Sequence, residues 1–154
     1  MRFDIQNQLS VAQSFTGATT VSTNSYQLQT YNDAYGTVFI QDPSIGRRMS
    51  ILGMVTVAAG AGSSHTNSLI TASNSALTSN VTGVATSGVT AAATLVAGYA
   101  FEIMAPIKSI SQQFIGFQNG STGGTTTITL DVYWVPSDEI PAYKAFPKVV
   151  DADV

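Results

Sequence analysis

The 154-residue chain has no cysteine, one histidine, one tryptophan and five prolines. Without cysteine there is no disulfide, no thiolate zinc site and no cysteine nucleophile. A single histidine leaves too few imidazoles to build a zinc site from the remaining donors. Charge is scarce as well. Charged residues make up 10% of the chain, against roughly 25% in ordinary soluble domains. The net charge is −3 with six basic residues, and their one adjacent pair is Arg47-Arg48. A protein that neutralises several phosphates needs a denser basic surface, so no nucleic-acid partner is expected. Residues 1–7 lack the apolar stretch of a secretory signal. No run approaches the about 18 apolar residues of a membrane-crossing helix, so no membrane partner is expected and synthesis in a cytoplasm is.

What fills the chain instead is threonine, serine, valine, isoleucine and 13 glycines. Helices solvate their outer faces with Glu, Lys and Arg, which are few here. The bias is towards strands and turns. The length suits one domain, which at this size buries about 68–70% of the surface of its unfolded chain. Residues 125–135 give the clearest strand pattern: Ile128, Leu130, Val132 and Trp134 alternate with Thr127, Thr129, Asp131 and Tyr133, apolar inside and polar outside. Residues 50–58 are apolar on both faces, which predicts a strand covered on both sides. Shorter strands are predicted at 11–15, 19–23, 26–31, 37–40, 68–72, 76–78, 99–104 and 113–118. Turn chemistry falls at Asn24-Ser25, at 42–46, at Ser73-Asn74-Ser75 and at 119–124. Residues 59–98 are low in complexity, and 91–96 within them read as a short helix.

Short strands spaced about ten residues apart predict an all-β fold, an antiparallel β-sandwich. A jelly roll is one such sandwich and an immunoglobulin-type arrangement another. The expected organisation is an N-terminal arm over 1–17, the sandwich over 18–135 and an extended, proline-containing C-terminal arm over 136–154. Pro136, Pro141 and Pro147 block helix and ladder pairing. Ile140, Tyr143, Phe146, Val149 and Val150 nevertheless make this arm apolar. It either lies on another surface or wraps its own sandwich.

Catalytic chemistry has little to work with. His65 lies in Ser63-Ser64-His65-Thr66, read as a solvated loop histidine; no Gly-x-Ser-x-Gly elbow accompanies it. Glu102 and Asp131 are the two acids inside predicted strands, and glycosidase chemistry needs such a pair facing one cleft. Gly60-Ala61-Gly62 and Gly123-Gly124 lack the lysine of a phosphate loop. Asn80-Val81-Thr82 and Asn119-Gly120-Ser121 match a glycosylation sequon, which a Ser- and Thr-rich chain produces by chance. The expectation is a non-enzyme with no catalytic residue, metal or cofactor. Tyr31, Tyr35 and Tyr133 are candidates for stacking on sugars.

Several segments resemble one family. Residues 3–13 (FDIQNQLSVAQ), Ser22-Thr23-Asn24, Asp42-Pro43-Ser44-Ile45-Gly46-Arg47, Leu95-Val96-Ala97-Gly98-Tyr99-Ala100-Phe101 and the last strand with Val135-Pro136 are similar to the jelly-roll capsid cement (decoration) proteins of tailed bacteriophages, Bordetella-phage type. The resemblance runs to about residue 136 and contains no catalytic signature. It implies a jelly roll on the outer surface of the virion head that bridges major capsid subunits and stabilises the shell. It also implies a small homo-oligomer, a dimer before a trimer, and synthesis in a bacterial cytoplasm. The apolar residues of the two arms, Phe3, Ile5, Ile140, Tyr143, Phe146 and Val149, are the candidate capsid contacts. The alternative function is a carbohydrate- or receptor-binding jelly-roll module of a phage tail structure.

Overall fold

A computed structural model describes residues 7–43, 45–61, 63–123 and 126–141. Eleven strands follow in chain order: β1 (Gln8–Thr16), β2 (Thr20–Val21), β3 (Tyr26–Gln27), β4 (Thr30–Asn32), β5 (Val38–Ile40), β6 (Met49–Val57), β7 (Ser64–Ala72), β8 (Thr82–Ala91), β9 (Ala100–Met104), β10 (Phe114–Thr122) and β11 (Thr127–Pro136). Every pairing is antiparallel. One sheet runs β1-β11-β6-β9 and the other β2-β10-β7-β8, with β3 also on β10. β2 and β3 are two pieces of one interrupted edge, since they pair with opposite ends of β10. The two sheets pack face to face as an antiparallel β-sandwich. The strands β4 and β5 form a separate two-stranded ribbon.

The pairing is nested. β1 pairs with β11, β2 and β3 with β10, β6 with β9, and β7 with β8. Each partner therefore lies symmetrically in sequence about the β7–β8 connection. Chain entry into β1 and exit from β11 fall together, because Gln8 sits opposite Tyr133.

The core follows from the alternation in β11. Ile128, Leu130, Val132 and Trp134 all point between the sheets and are fully buried. Phe117 of β10 meets Phe15 of β1 edge-on at 5.3 Å and 86°, and stacks on Phe101 of β9 at 6.1 Å and 30°. Phe101 fits because its cross-strand neighbour is Gly53. A Cβ there would lie 2.1 Å from the ring's Cζ, so the missing side chain is what lets the ring cover β6.

The other face of β11 departs from the sequence expectation. Asp131 and Tyr133, expected outside, are buried. Tyr133 and Val135 pack with Leu52 and Ile140 into a second cluster on the outer face of the first sheet. Asp131 is covered by a bulge in β1, where Ala12 adopts φ 41° and donates its N–H to Asp131 Oδ1 at 2.6 Å.

Four expectations are corrected. Residues 8–16, expected within an N-terminal arm, form β1 and bury Leu9 and Phe15. Residues 76–78 are loop rather than strand; Leu77 turns in to pack with Ile70 and Ala72 over Gly116. The second strand of that hairpin is β8, whose small residues carry almost no apolar pattern. Residues 91–96, expected as a short helix, give the last residue of β8 and then isolated turns (Thr94 N–H to Ala91 O, Leu95 N–H to Ala92 O). β10 runs on through 119–122, where a turn was expected.

Candidate functional site

The titratable candidates resolve into structural roles. His65 is not a solvated loop residue. It lies in β7 with no exposed surface, on the inward face that also carries Asn67 and Leu69. Its Nε2 is 3.2 Å from Ser63 Oγ and its Nδ1 3.2 Å from Asn119 Oδ1. Asn119 Nδ2 in turn donates to Asn67 Oδ1 at 2.8 Å. One end of the sandwich interior is thus a closed polar network, which a buried imidazole requires. Spacing alone hid this, because the inward positions of β7 are His65, Asn67, Leu69 and Thr71, of which Leu69 alone is apolar. The sequon residue Asn119 is itself buried within the network.

Glu102 and Asp131 share the outer face of the first sheet, with β6 between their strands. Two strand spacings set them about 10 Å apart before any offset along the strands. Each has its own partner: Ser50 Oγ donates to Glu102 Oε1 at 2.9 Å, and Ala12 N–H to Asp131. They do not converge on a cleft. Among the described residues no group of three or more His, Asp or Glu is placed to hold a metal ion, and no helix is long and apolar enough to cross a membrane.

Of the proposed contact residues, Ile140 is corrected. It is 1% exposed and packs against Leu52, Tyr133 and Val135. The chain turns back after Pro136 because Ser137 N–H donates to Arg48 O. Arg47 grips the same turn, 2.9 Å from Asp138 and 2.8 Å from Glu139. The paired guanidinium holds the Asp138 carboxyl below its usual range. Phe3, Ile5, Tyr143, Phe146 and Val149 lie outside the described residues. Tyr133, proposed for sugar stacking, is buried; its hydroxyl accepts from Gln8 Nε2 at 3.1 Å. Burial, reinforced by the Asp131 charge, pushes its pKa up to about 12.

The end of the sandwich where the chain enters and leaves also carries the β4–β5 ribbon. Its tip is held by Asp33, whose Oδ1 accepts the N–H groups of Thr37 and Tyr35, each at 2.8 Å. The Thr37 bond leads the set that keeps this carboxyl below its ordinary pKa. Gly36 supplies the left-handed backbone at φ 81°. Register places Tyr31 opposite Phe39, and the ladder continues with Gln41 N–H donating to Gln29 O. Gln29, Tyr31, Phe39 and Gln41 therefore share one face. Tyr31 is 51% and Phe39 55% exposed, and Tyr35 at the tip is 94% exposed. Val38 and Phe39 were legible as a strand, not as an exposed surface; only the register shows which residues they join. Beside the ribbon lies a groove of about 540 Å³ lined by Ser25, Tyr26, Gln27, Leu28, Gln29, Gln41 and Pro43.

No protein-family model matches the chain, and no curated protein matches it in sequence.

Proposed function

We propose that the protein is a non-enzymatic capsid cement (decoration) protein that binds the outer surface of a tailed-phage head and bridges major capsid subunits. The observation that carries the reading is the side-by-side position of the chain's entry into β1 and exit from β11. It attaches residues 1–6 and 142–154, with Phe3, Ile5, Tyr143, Phe146 and Val149, to one end of a rigid sandwich. Two terminal segments that carry aromatic and aliphatic residues suit strand addition or groove docking on neighbouring subunits. The nested strand order supports a jelly roll. With β2 and β3 counted as one strand and the ribbon set aside, eight strands pair first with last, second with seventh, third with sixth and fourth with fifth. The family resemblance over residues 3–136 points the same way.

The physical role is additive. Packaged DNA strains shell subunits outward, and each bridge raises the free energy of separating two of them. A standard interface buries roughly 1,600 Å² in total, and many copies on one rigid shell act together through effective concentration. A homo-oligomer, dimer before trimer, would multiply the bridges.

Co-sedimentation with cement-depleted heads, imaged by cryo-microscopy, tests this. The expected result is stoichiometric density over capsid subunit boundaries, with binding weakened when residues 142–154 are deleted. Absence from heads, or full-strength head binding by the shortened chain with residues 1–6 also removed, would overturn the reading.

A further inference from the structure

The β4–β5 ribbon stands outside the two sheets of the sandwich and reaches its core through Ile40. We propose that its Gln29–Tyr31–Phe39–Gln41 face, with the groove beside it, binds a neutral carbohydrate. The inference goes beyond the cement reading and stands without it.

The geometry is specific. The Tyr31 hydroxyl lies 2.9 Å from Gln29 Oε1 and 3.3 Å from Gln41 Oε1. A phenol has one hydrogen and donates to one of them at a time. The glutamine that accepts is oriented with its oxygen towards Tyr31, which leaves its NH₂ group as a donor without a partner among the described residues. The aromatic pair beside them is half exposed although apolar rings ordinarily seek cover. A ring face carries negative charge density, which favours polarised C–H groups. Sugars present both complements at once: one face of C–H groups for the rings, and a rim of hydroxyls for the amides.

The charge pattern selects among ligands. None of the residues lining the groove is charged. Asp42, between Gln41 and Pro43, accepts the Ile110 N–H at 3.3 Å, and Asp33 is committed to the ribbon tip. With no cation among the described lining residues to meet a phosphate or sulfate, the chemistry fits an uncharged glycan. Gln27 and the Ser25 hydroxyl extend the hydrogen-bonding surface along the groove, which gives length for more than one sugar ring.

The test is a neutral-oligosaccharide array on the purified full chain, followed by saturation-transfer NMR titration with the best-scoring oligosaccharide. Wild type is expected to bind in the millimolar range or tighter. Tyr31→Ala and Gln41→Ala should each weaken binding about tenfold, the loss of one ring or amide contact, with unchanged far-ultraviolet circular dichroism. Val89→Ala, on β8 at the other end of the sandwich, should bind as wild type. No binding to any neutral glycan, preference for sialylated or sulfated glycans, or binding indifferent to Tyr31 and Gln41 would each overturn the proposal. So would a Tyr31→Ala protein that loses head binding when wild type binds no sugar; the ribbon would then be a protein contact. Head co-sedimentation is read separately, so sugar binding and cement function fail independently.

Discussion

At the residue scale, the interior contains a few polar atoms whose cost is visible. Thr71 faces the core from β7 with no exposed surface, and its Oγ1 has no hydrogen-bond partner among the described residues. A buried, unpaired hydroxyl costs about 1–3 kcal/mol, and valine replaces it with a methyl of the same shape. Thr71→Val should therefore raise the unfolding free energy by about 1 kcal/mol or more, measured by urea denaturation; an unchanged or lower midpoint would contradict it. Tyr133 makes a pH prediction. Its neutral phenol is favoured in the fold, so its pKa stands near 12 against an ordinary 10. The native state then holds a proton that the unfolded chain gives up first, and stability falls as pH rises from about 10 to 12. Tyr133→Phe has no such proton, and its stability should decline less steeply through that window. Spectroscopic titration should also show a tyrosine ionisation near pH 12 that Tyr133→Phe removes. His65 shows how limited the sequence signal is at this scale. A lone histidine among serines reads as a loop residue, and only the register opposite β10 supplies the Asn119 amide that makes its burial affordable.

At the element scale, legibility tracked side-chain size. β6 and β11 were plain in the sequence because Ile, Leu, Val and Trp write the period-two pattern directly. β8 was not, because Thr-Gly-Val-Ala-Thr-Ser-Gly-Val-Thr-Ala carries little apolar contrast and its strand character comes from pairing with β7. The C-terminal arm was legible as apolar and proline-broken, but not where it begins. Ile140 closes the second cluster, so the folded unit extends past the proline that terminates β11. Deleting 142–154 should leave the thermal midpoint near wild type. Deleting 137–154 removes Ile140 and the Ser137 turn, and should cost about 2–5 kcal/mol, as for truncating a buried aliphatic side chain. Ile140→Ala in the full chain should reproduce much of that loss. Equal midpoints for the two truncations would show that Ile140 contributes nothing to the fold.

At the scale of the whole molecule, the nested pairing was beyond the reach of sequence patterns, since which strands meet depends on contacts across most of the chain. Phe15 pairs with Ile128, whereas β7 and β8 meet across a single loop. Closing a longer loop costs more entropy, and that cost must be met before the contact rewards it. The order of events should then run outward from the β7–β8 hairpin, with β1 docking on β11 last. All-β domains with such distant pairing fold in milliseconds to seconds. Mutations in elements that form after the transition state mainly speed unfolding, while those in the nucleus slow folding. Phe15→Leu should accordingly shift the unfolding limb of the chevron and leave the folding limb in place. Ile70→Val, in the hairpin and its Leu77 cluster, should lower the folding rate. The reverse assignment would mean that the terminal strands nucleate the sandwich, in which case the segments outside it would be tethered to its earliest structure rather than its latest.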